Sequence, residues 1–232
     1  MGLAMWWQER RGGGGTQALG ALRFTVLDTE LTGLDERRDD IVSLGALHMQ
    51  GGRIELGGAF QELVKPSATL DGRTVVIHGI TPEQLEASPP IATVLTAFKA
   101  YSANTVLLGH CLAIDLGFLN RDARRLKVGA FRQPAVDTLA LYSWLRHRGS
   151  EHPAFALETA HLSLFDLAAA FDIPVETAHT ALGDAFVTAQ LFQRLLPLLK
   201  EAGVDTIASL RRVGDPDQAT ASLSAKPGHA HF

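Results

Sequence analysis

Residues 23–34 read Arg-Phe-Thr-Val-Leu-Asp-Thr-Glu-Leu-Thr-Gly-Leu, and this stretch is the most informative pattern in the chain. Its first half is β-prone and apolar at both odd and even positions, which predicts a strand covered on both faces. Side chains alternate along a strand, so Asp28 and Glu30 lie on the same side where the strand ends and Thr32-Gly33 begins a turn. Neighbouring carboxylates repel each other unless a cation or a proton intervenes. Oxygen-preferring Mg²⁺ or Mn²⁺ would satisfy this pair, and a solvated acidic turn is the alternative interpretation.

The rest of the chain predicts an α/β fold. A second and a third strand at 41–49 and 53–65 are joined by Gly51-Gly52 in a hairpin turn. Two short apolar strands follow at 105–109 and 134–137. Apolar residues at helical spacing predict helices within 91–101, 116–126, 138–145 and 185–199. Three strands followed by strands that alternate with helices indicate a mixed sheet flanked by helices.

Two further acidic residues stand beside predicted helices. Asp115 lies one residue before an apolar helical face, so we expect it in the first helical turn, a position that ordinary capping also explains. Asp184 borders the apolar face of the last helix, where a carboxylate usually needs a partner. Five helical residues span about 500°, so His179 and Asp184 do not share a helix face, and we place His179 in the approach to the helix. A histidine in a turn is also typical of an ordinary protein surface.

The composition limits the class of protein. The 232 residues are 46% hydrophobic and 20% charged, which suits one folded domain and excludes wholesale disorder. We expect that domain at 20–212, a flexible arm at 1–19 and a disordered tail at 213–232. Trp6 and Trp7 in the arm would pack on this protein or on a partner. The formal net charge of −4 argues against a broadly basic nucleic-acid-binding protein.

Targeting signals are not evident in the sequence. The single cysteine excludes an internal disulfide and points to a reducing compartment. No apolar run approaches the roughly 18 residues of a membrane-spanning helix. The first residues lack the charge order of a signal peptide. We therefore expect a cytoplasmic protein without a membrane partner.

The ordered set of acids resembles the DnaQ-like 3′→5′ exonucleases of the DEDDh type, within the ribonuclease H-like superfamily. The resemblance runs from about Phe24 to Leu199. Segments 28–34, 110–119 and 179–185 are similar to the family's three exonuclease motifs, and its further landmarks correspond to 78–81 and 136–139. The resemblance implies a five-stranded mixed sheet, flanked by helices, whose second strand is antiparallel.

The same resemblance implies a mechanism. Asp28, Glu30, Asp115 and Asp184 would hold two Mg²⁺ or Mn²⁺ ions, and His179 would be the general base that accepts a proton from the attacking water. The implied reaction releases nucleoside 5′-monophosphates from the 3′ end of single-stranded DNA or RNA. Two divalent ions would also offset the formal charge of −4, so global charge is a poor guide to nucleic-acid binding here.

Substrate contacts are implied at several positions. Leu34 and the backbone at Thr32-Gly33 resemble the family's wedge against the terminal base, and His78 is a candidate contact to the terminal nucleotide. Cys111 stands where asparagine is usual, Leu31 where threonine is common and Ile114 where phenylalanine is usual. These three departures leave catalysis credible and bear on substrate preference.

Two basic clusters are candidates for phosphate contacts. Arg121, Arg124 and Arg125 project away from the apolar face of the helix that follows Asp115. The second cluster comprises Arg146, His147 and Arg148. For both clusters, a simple solvated helix face is the favoured interpretation.

Three functions remain compatible with the sequence. A stand-alone exonuclease is the leading hypothesis, and a proofreading subunit of a DNA polymerase is the second. Residues 218–223 are weakly similar to a sliding-clamp-binding peptide, although Ala221 replaces a larger apolar residue. An inactive nucleic-acid-binding module is the third, and the presence of all five expected active-site residues argues against it. A homodimer is compatible with the resemblance, while the choice between DNA and RNA and the pathway stay open.

Overall fold

The computed structural model describes residues 14–67, 79–157 and 162–219. Its centre is a five-stranded sheet in the order β3-β2-β1-β4-β5. The strands are β1 Arg23–Leu31, β2 Ile41–Gln50, β3 Arg53–Leu63, β4 Val106–Gly109 and β5 Ala135–Asp137. Strand β2 is antiparallel to both of its neighbours, whereas β1, β4 and β5 are mutually parallel. The predicted α/β class, the mixed sheet and its antiparallel second strand are confirmed.

Helices cover both faces of this sheet. They are α1 Pro82–Glu86, α2 Ile91–Tyr101, α3 Ala113–Arg125, α4 Thr138–His147, α5 Leu164–Ala170, α6 Ala181–Glu201 and α7 Ile207–Val213. Helix α2 begins directly after Pro90, whose extended backbone at the N-cap marks the helix boundary. The helices predicted from apolar periodicity are all present, and α6 begins four residues before its predicted start.

Two hydrophobic cores lie on opposite sides of the sheet. Phe24 and Val26 face the core that contains α4, α5, α6 and α7, where the rings of Phe24 and Phe192 pack edge to face at 5.0 Å. Leu27, the residue after Val26, points to the opposite face and lies in the core that contains α2 and α3. Each such fully buried side chain contributes about 1.5–3 kcal/mol to folding. The double coverage predicted for β1 is therefore confirmed.

The start of α6 lies unusually close to β2. A Cβ atom on Gly45 would overlap the backbone of Ala181 and Leu182, so only glycine permits this approach. Gly45 is paired with Asp28 across the β1–β2 ladder. The close approach therefore brings the first turn of α6 alongside the end of β1.

The folded unit extends beyond 20–212 at both ends. Leu19 is buried, and Ala18 forms an antiparallel bridge with Thr206. Beyond α7, the carbonyl of Gly214 accepts a hydrogen bond from the backbone N–H of Asp137, and Ala219 is buried in the same core. Residues on both sides of 20–212 therefore contact the folded unit, and such isolated residues carry no periodic signal in the sequence.

Some expectations fall outside the described residues. These are Trp6, Trp7, His78, the tail from 220 onward and most of the clamp-like segment. Within the described part of the chain, no helix is both long and apolar enough to span a membrane.

Candidate active site

Three carboxylates converge where β1 ends. Asp28 and Glu30 occupy the face of β1 that turns toward α6, and Asp184 lies in the first turn of α6. One carboxylate oxygen from each lies within 4.8 Å of the others. Asp184 is buried, while Asp28 and Glu30 are partly exposed. Strand alternation and the approach of α6 at Gly45 together create this cluster.

Asp115 reaches the same edge of the sheet from the opposite face. It is buried in the first turn of α3, and its Oδ1 accepts a hydrogen bond of 2.6 Å from Thr29 Oγ1. It does not belong to the compact group of three carboxylates. Its negative charge nevertheless raises the pKa of both Asp28 and Glu30. The four predicted acids therefore influence one another electrostatically, although Asp115 approaches from the opposite face of the sheet.

These carboxyl groups bind protons more tightly than free carboxylates. Burial, followed by the charges of Asp115, Asp184 and Glu30, raises the pKa of Asp28 well above its usual range. Burial and neighbouring charges raise the pKa of Glu30 to about 7, and burial raises the pKa of Asp184 to about 6. Burial also raises the pKa of Asp115 to about 7, although the Thr29 hydrogen bond acts in the opposite direction. Without a counter-ion, the cluster resists full ionisation at neutral pH.

The cluster has the properties of a site for a hard divalent cation. Asp184 Oδ1 is buried, and no described residue gives it a hydrogen bond. A buried oxygen without a partner costs about 1–3 kcal/mol, a penalty that a bound cation removes. All of the donor atoms are carboxylate oxygens, the ligands that hard divalent cations prefer. The residues present therefore fit a divalent metal.

His179 lies in the loop directly before α6, as predicted. Its side chain is exposed, and its ring lies edge to face against Phe165 at 5.1 Å. Thr180 caps the helix by accepting a hydrogen bond from Gly183 N, and a Cβ atom on Gly183 would overlap the carbonyl of Thr177. His179 also opposes the rise in the pKa of Asp184, through its charge and a backbone hydrogen bond. The loop thus holds an imidazole beside the acidic cluster.

Cys111 lies in a turn that a buried aspartate supports. Asp137, which the sequence analysis placed in a family landmark without a role, accepts a hydrogen bond of 2.6 Å from Leu112 N and caps α4. Cys111 has a left-handed backbone with φ of 54°. Burial, with the charges of nearby aspartates, raises the pKa of its thiol, which keeps the thiol protonated. The departure from asparagine thus places a neutral, weakly polar group beside the acids.

The segment after β1 forms a tight loop. Thr32 Oγ1 donates to Asp39 Oδ1 at 3.1 Å, and a Cβ atom on Gly33 would meet the Asp39 carboxylate. Leu34 extends into solvent, with 53% of its surface exposed. The predicted substrate residues 32–34 therefore lie next to the acidic cluster in the chain and present an apolar side chain to solvent.

The predicted phosphate contacts on α3 have other partners. Arg121 donates to the buried carboxylate of Asp122 and to the backbone carbonyls of Glu36 and Asp39. Arg125 is half exposed and lies 3.3 Å from the same carboxylate of Asp122. Residue type alone does not reveal these contacts, because the backbone partners of Arg121 are more than 80 residues away in the chain.

Comparison with known proteins places this site in a family. The family model RNase_T, described as "Exonuclease", matches residues 25–192, which include all five predicted active-site residues. A DNA polymerase III subunit epsilon-like protein of Rhodobacter capsulatus is 36% identical over 206 residues, which cover 86% of this chain and 28% of that protein. A PolC-type DNA polymerase III of Thermotoga maritima is 32% identical over 210 residues, covering 90% of this chain and 14% of the polymerase. The chain thus spans less than a third of these relatives' length.

Solved structures share the architecture. Escherichia coli exonuclease I in complex with a dT13 oligonucleotide aligns with a TM-score of 0.65 at 18% identity, over 78% of this chain and 42% of that one. Exonuclease X in complex with 5′-overhanging duplex DNA aligns with a TM-score of 0.58 at 21% identity, over 83% and 98% of the two chains. Since the family match extends from β1 through the first half of α6, the chain belongs to the DnaQ-like exonucleases of the RNase_T family and has the ribonuclease H-like fold.

Proposed function

We propose that this protein hydrolyses single-stranded or 3′-terminal nucleic acid in the 3′→5′ direction and releases nucleoside 5′-monophosphates. The observation that supports it most directly is the convergence of Asp28, Glu30 and Asp184, whose oxygens lie within 4.8 Å of one another. The unpartnered Asp184 Oδ1 and the exposed His179 belong to the same site. Together these residues provide a cation site and a proton acceptor at one sheet edge.

Asp28, Glu30, Asp115 and Asp184 would hold two Mg²⁺ or Mn²⁺ ions. When bound, such ions supply Lewis acidity, which favours deprotonation of water and neutralises charge on the scissile phosphate. The four carboxylates enter from β1, α3 and α6, so the site is assembled only in the folded protein. Thr29 fixes the orientation of the Asp115 carboxylate through its hydrogen bond.

His179 would accept the proton of the attacking water. Imidazole suits proton transfer near neutral pH. The left-handed backbone at His179, with φ of 59°, and the Phe165 ring hold the imidazole in the loop beside Asp184. The proton moves from water to a ring nitrogen, and the adjacent acids favour the resulting imidazolium.

Leu34 would pack against the terminal base, supported by the loop backbone at Thr32-Gly33. Its exposed side chain follows the acidic strand end by four residues, which suits contact with the base whose phosphate is attacked. Cys111 and His78 complete the proposed substrate contacts, whereas the guanidinium groups of Arg121 and Arg125 already contact Asp122 and are left out of them. Besides burial, the charges of Asp115 and Asp28 contribute to the raised pKa of the Cys111 thiol, which supports a place for Cys111 beside the acids.

A digestion assay tests this proposal. Oligonucleotides of DNA and of RNA, labelled at the 5′ end, are incubated with Mn²⁺, and the products are separated by size. We expect a ladder that shortens one nucleotide at a time from the 3′ end and release of nucleoside 5′-monophosphates. Cleavage within a circular substrate, or progressive loss of the 5′ label as a mononucleotide, would contradict the polarity. No hydrolysis of either nucleic acid would favour an inactive binding module.

A proofreading role is the second candidate function. It is favoured by the similarity to polymerase III proteins, of which this chain spans only 28% and 14%. We would expect the protein to co-purify with a replicative polymerase or its clamp and to remove mismatched 3′ nucleotides faster than matched ones. Equal rates of removal of matched and mismatched 3′ nucleotides, with no polymerase co-purifying, would favour the stand-alone enzyme, either as a monomer or as a homodimer.

A further inference from the structure

The loop that joins β1 to β2, residues 32–40, projects from the edge of the sheet that carries the acidic cluster. We call it the β1–β2 loop. Its base is closed by a hydrogen bond of 2.9 Å from Thr32 N to the carbonyl of Asp40. The loop leaves β1 only two residues after Glu30. The loop therefore begins beside the acidic cluster.

The acidic side chains of the β1–β2 loop have contacts within the protein. Asp35 Oδ1 accepts from Arg37 N, and Asp39 Oδ2 accepts from Asp35 N. Asp40 Oδ2 accepts from Ser67. The carboxylate of Glu36 lies against α3 at Gly117, where a Cβ atom would overlap it. Although a pair of acids stands on each side of the two arginines in the sequence, these carboxylates contact other groups of the protein.

Arg37 and Arg38 are the basic residues at the tip of this loop. Both are exposed, and within the described ranges neither side chain forms a hydrogen bond or an ion pair. Arg121 and Arg125, in contrast, share the buried carboxylate of Asp122. The uncompensated positive charge closest in sequence to the acidic cluster therefore belongs to the loop tip.

Arg121 anchors the β1–β2 loop to α3. One guanidinium nitrogen donates to the carbonyls of Glu36 and Asp39, both at 2.6 Å. The other nitrogens donate to Asp122, which is only 2% exposed. Through these hydrogen bonds, Arg121 holds the β1–β2 loop against α3, the helix that also carries Asp115.

We propose that Arg37 and Arg38 bind the backbone phosphates of the substrate strand, and that Arg121 is a positioning residue for them. The proposal rests on the proposed function in one respect, the nucleic-acid class of the substrate. A guanidinium group forms two parallel hydrogen bonds with a phosphate. Exposed arginines that follow the end of β1 are therefore suited to bind the substrate backbone. Phosphate contacts of this kind release counter-ions, so they make binding weaker as salt rises.

Fluorescence anisotropy tests this assignment. A fluorescein-labelled oligothymidylate is titrated in Ca²⁺ at a series of KCl concentrations, and the logarithm of the association constant is plotted against the logarithm of salt concentration. Replacing both residues, Arg37→Gln and Arg38→Gln, should reduce the slope by about 1.4, since each single-strand phosphate contact contributes about 0.7. The same arithmetic gives roughly tenfold or more weaker binding near 0.1 M salt.

A second pair of adjacent arginines provides the matched control. Arg124 and Arg125 are exposed on α3, and changing both to glutamine removes the same formal charge. We expect their salt slope to stay close to that of the wild type. An unchanged slope in the Arg37→Gln/Arg38→Gln variant, an equal loss in the control, or no salt-dependent binding by the wild type would overturn the assignment.

Arg121→Met separates positioning from direct contact. We expect weaker binding and a lower salt slope, because Arg37 and Arg38 are no longer held in place, and partial recovery in Arg121→Lys. Added to Arg37→Gln/Arg38→Gln, Arg121→Met should lower the slope no further, whereas a further loss of about 0.7 would identify Arg121 as a phosphate contact and contradict its positioning role. Cleavage is measured separately in Mn²⁺ on the same proteins. Wild-type protein that binds with the expected slope but does not cleave would refute the proposed hydrolysis while leaving this inference intact.

Discussion

His179 adopts a left-handed backbone, a conformation that costs a residue with a side chain about 1–3 kcal/mol. The Thr180 cap and the side-chain-free Gly183 maintain it, because the loop folds back against the first turn of α6. The strain orients an exposed imidazole beside Asp184. Such a cost is typical of residues whose placement matters for function.

Replacement of His179 by alanine should lower kcat by roughly 10²–10⁴-fold, because the reaction loses its proton acceptor. Metal binding should persist, since the carboxylates are untouched, and this is checked by the rise in unfolding temperature on adding Mn²⁺. His147→Ala is the control, because His147 is exposed on α4 and, in the described part of the chain, its ring bonds only to the Ser143 carbonyl of the same helix. A wild-type rate in His179→Ala would exclude this base.

Thr29 acts on the site through Asp115. Thr29→Val keeps the shape of the side chain and removes the hydroxyl that donates to Asp115 Oδ1. Loss of this donor should raise the pKa of Asp115 further and weaken Mn²⁺ binding by about 10–100-fold. Calorimetric titration measures the affinity, and Thr29→Ser should restore it. Equal affinity in all three proteins would show that this hydrogen bond does not support the metal site.

At the scale of elements, the contact between α6 and β2 determines where Asp184 lies. At position 45, glycine is the only residue type that allows the backbone of Ala181 and Leu182 to approach the strand this closely. A glycine inside a strand often marks such a close approach, and this was the available sequence signal. The site therefore depends on a residue that has no side chain and performs no chemistry.

Gly45→Ala should move α6 away from β1 and destabilise the protein by about 1–3 kcal/mol, the usual cost of forcing extra volume into a packed contact. Activity should fall further than stability, because Asp184 moves with the helix. Gly57→Ala on β3 is a matched control, since a Cβ atom there meets no atom within 4 Å. Urea unfolding measures the stability of the two variants, and the digestion rate measures their activity. Wild-type activity in Gly45→Ala would disprove this dependence.

At the scale of the whole molecule, the acidic cluster links stability to pH. The pKa values of Glu30 and Asp115 rise to about 7 in the folded state, above the usual 4.5 and 3.8. The metal-free folded protein therefore binds more protons than the unfolded chain between about pH 4 and pH 7. The contribution of these protonated carboxyl groups to the stability of the folded protein is fully present below about pH 4 and is lost as the pH rises through 7.

Metal-free protein should consequently lose stability on going from pH 5 to pH 8, as measured by its unfolding temperature in EDTA. Mn²⁺ should restore most of the loss at pH 8. Asp28→Asn removes one repelling charge, so at pH 8 in EDTA it should unfold at a higher temperature than the wild type and gain less from Mn²⁺. A metal-free wild type that is equally stable at both pH values would contradict this linkage.

Local rules predict a large part of this molecule. Alternation placed Asp28 and Glu30 on one face, Pro90 marked the start of α2, and periodicity placed Asp115 in a first helical turn. The internal partners of Arg121 were missed because they are backbone carbonyls of a distant loop, which leave no trace in residue type. The burial of Leu19 and Ala219 was missed for a similar reason, as it depends on long-range packing.

The proposed function requires that the acidic cluster hydrolyses nucleic acid only with bound divalent cations. Its most direct test is the rate of 3′-mononucleotide release by EDTA-treated protein as Mn²⁺ is added back, for wild type and for Asp184→Asn. We predict no release in EDTA, a rate that rises with Mn²⁺ for the wild type, and no rise for a folded Asp184→Asn. Undiminished release in EDTA, or a wild-type rate in Asp184→Asn, would contradict it.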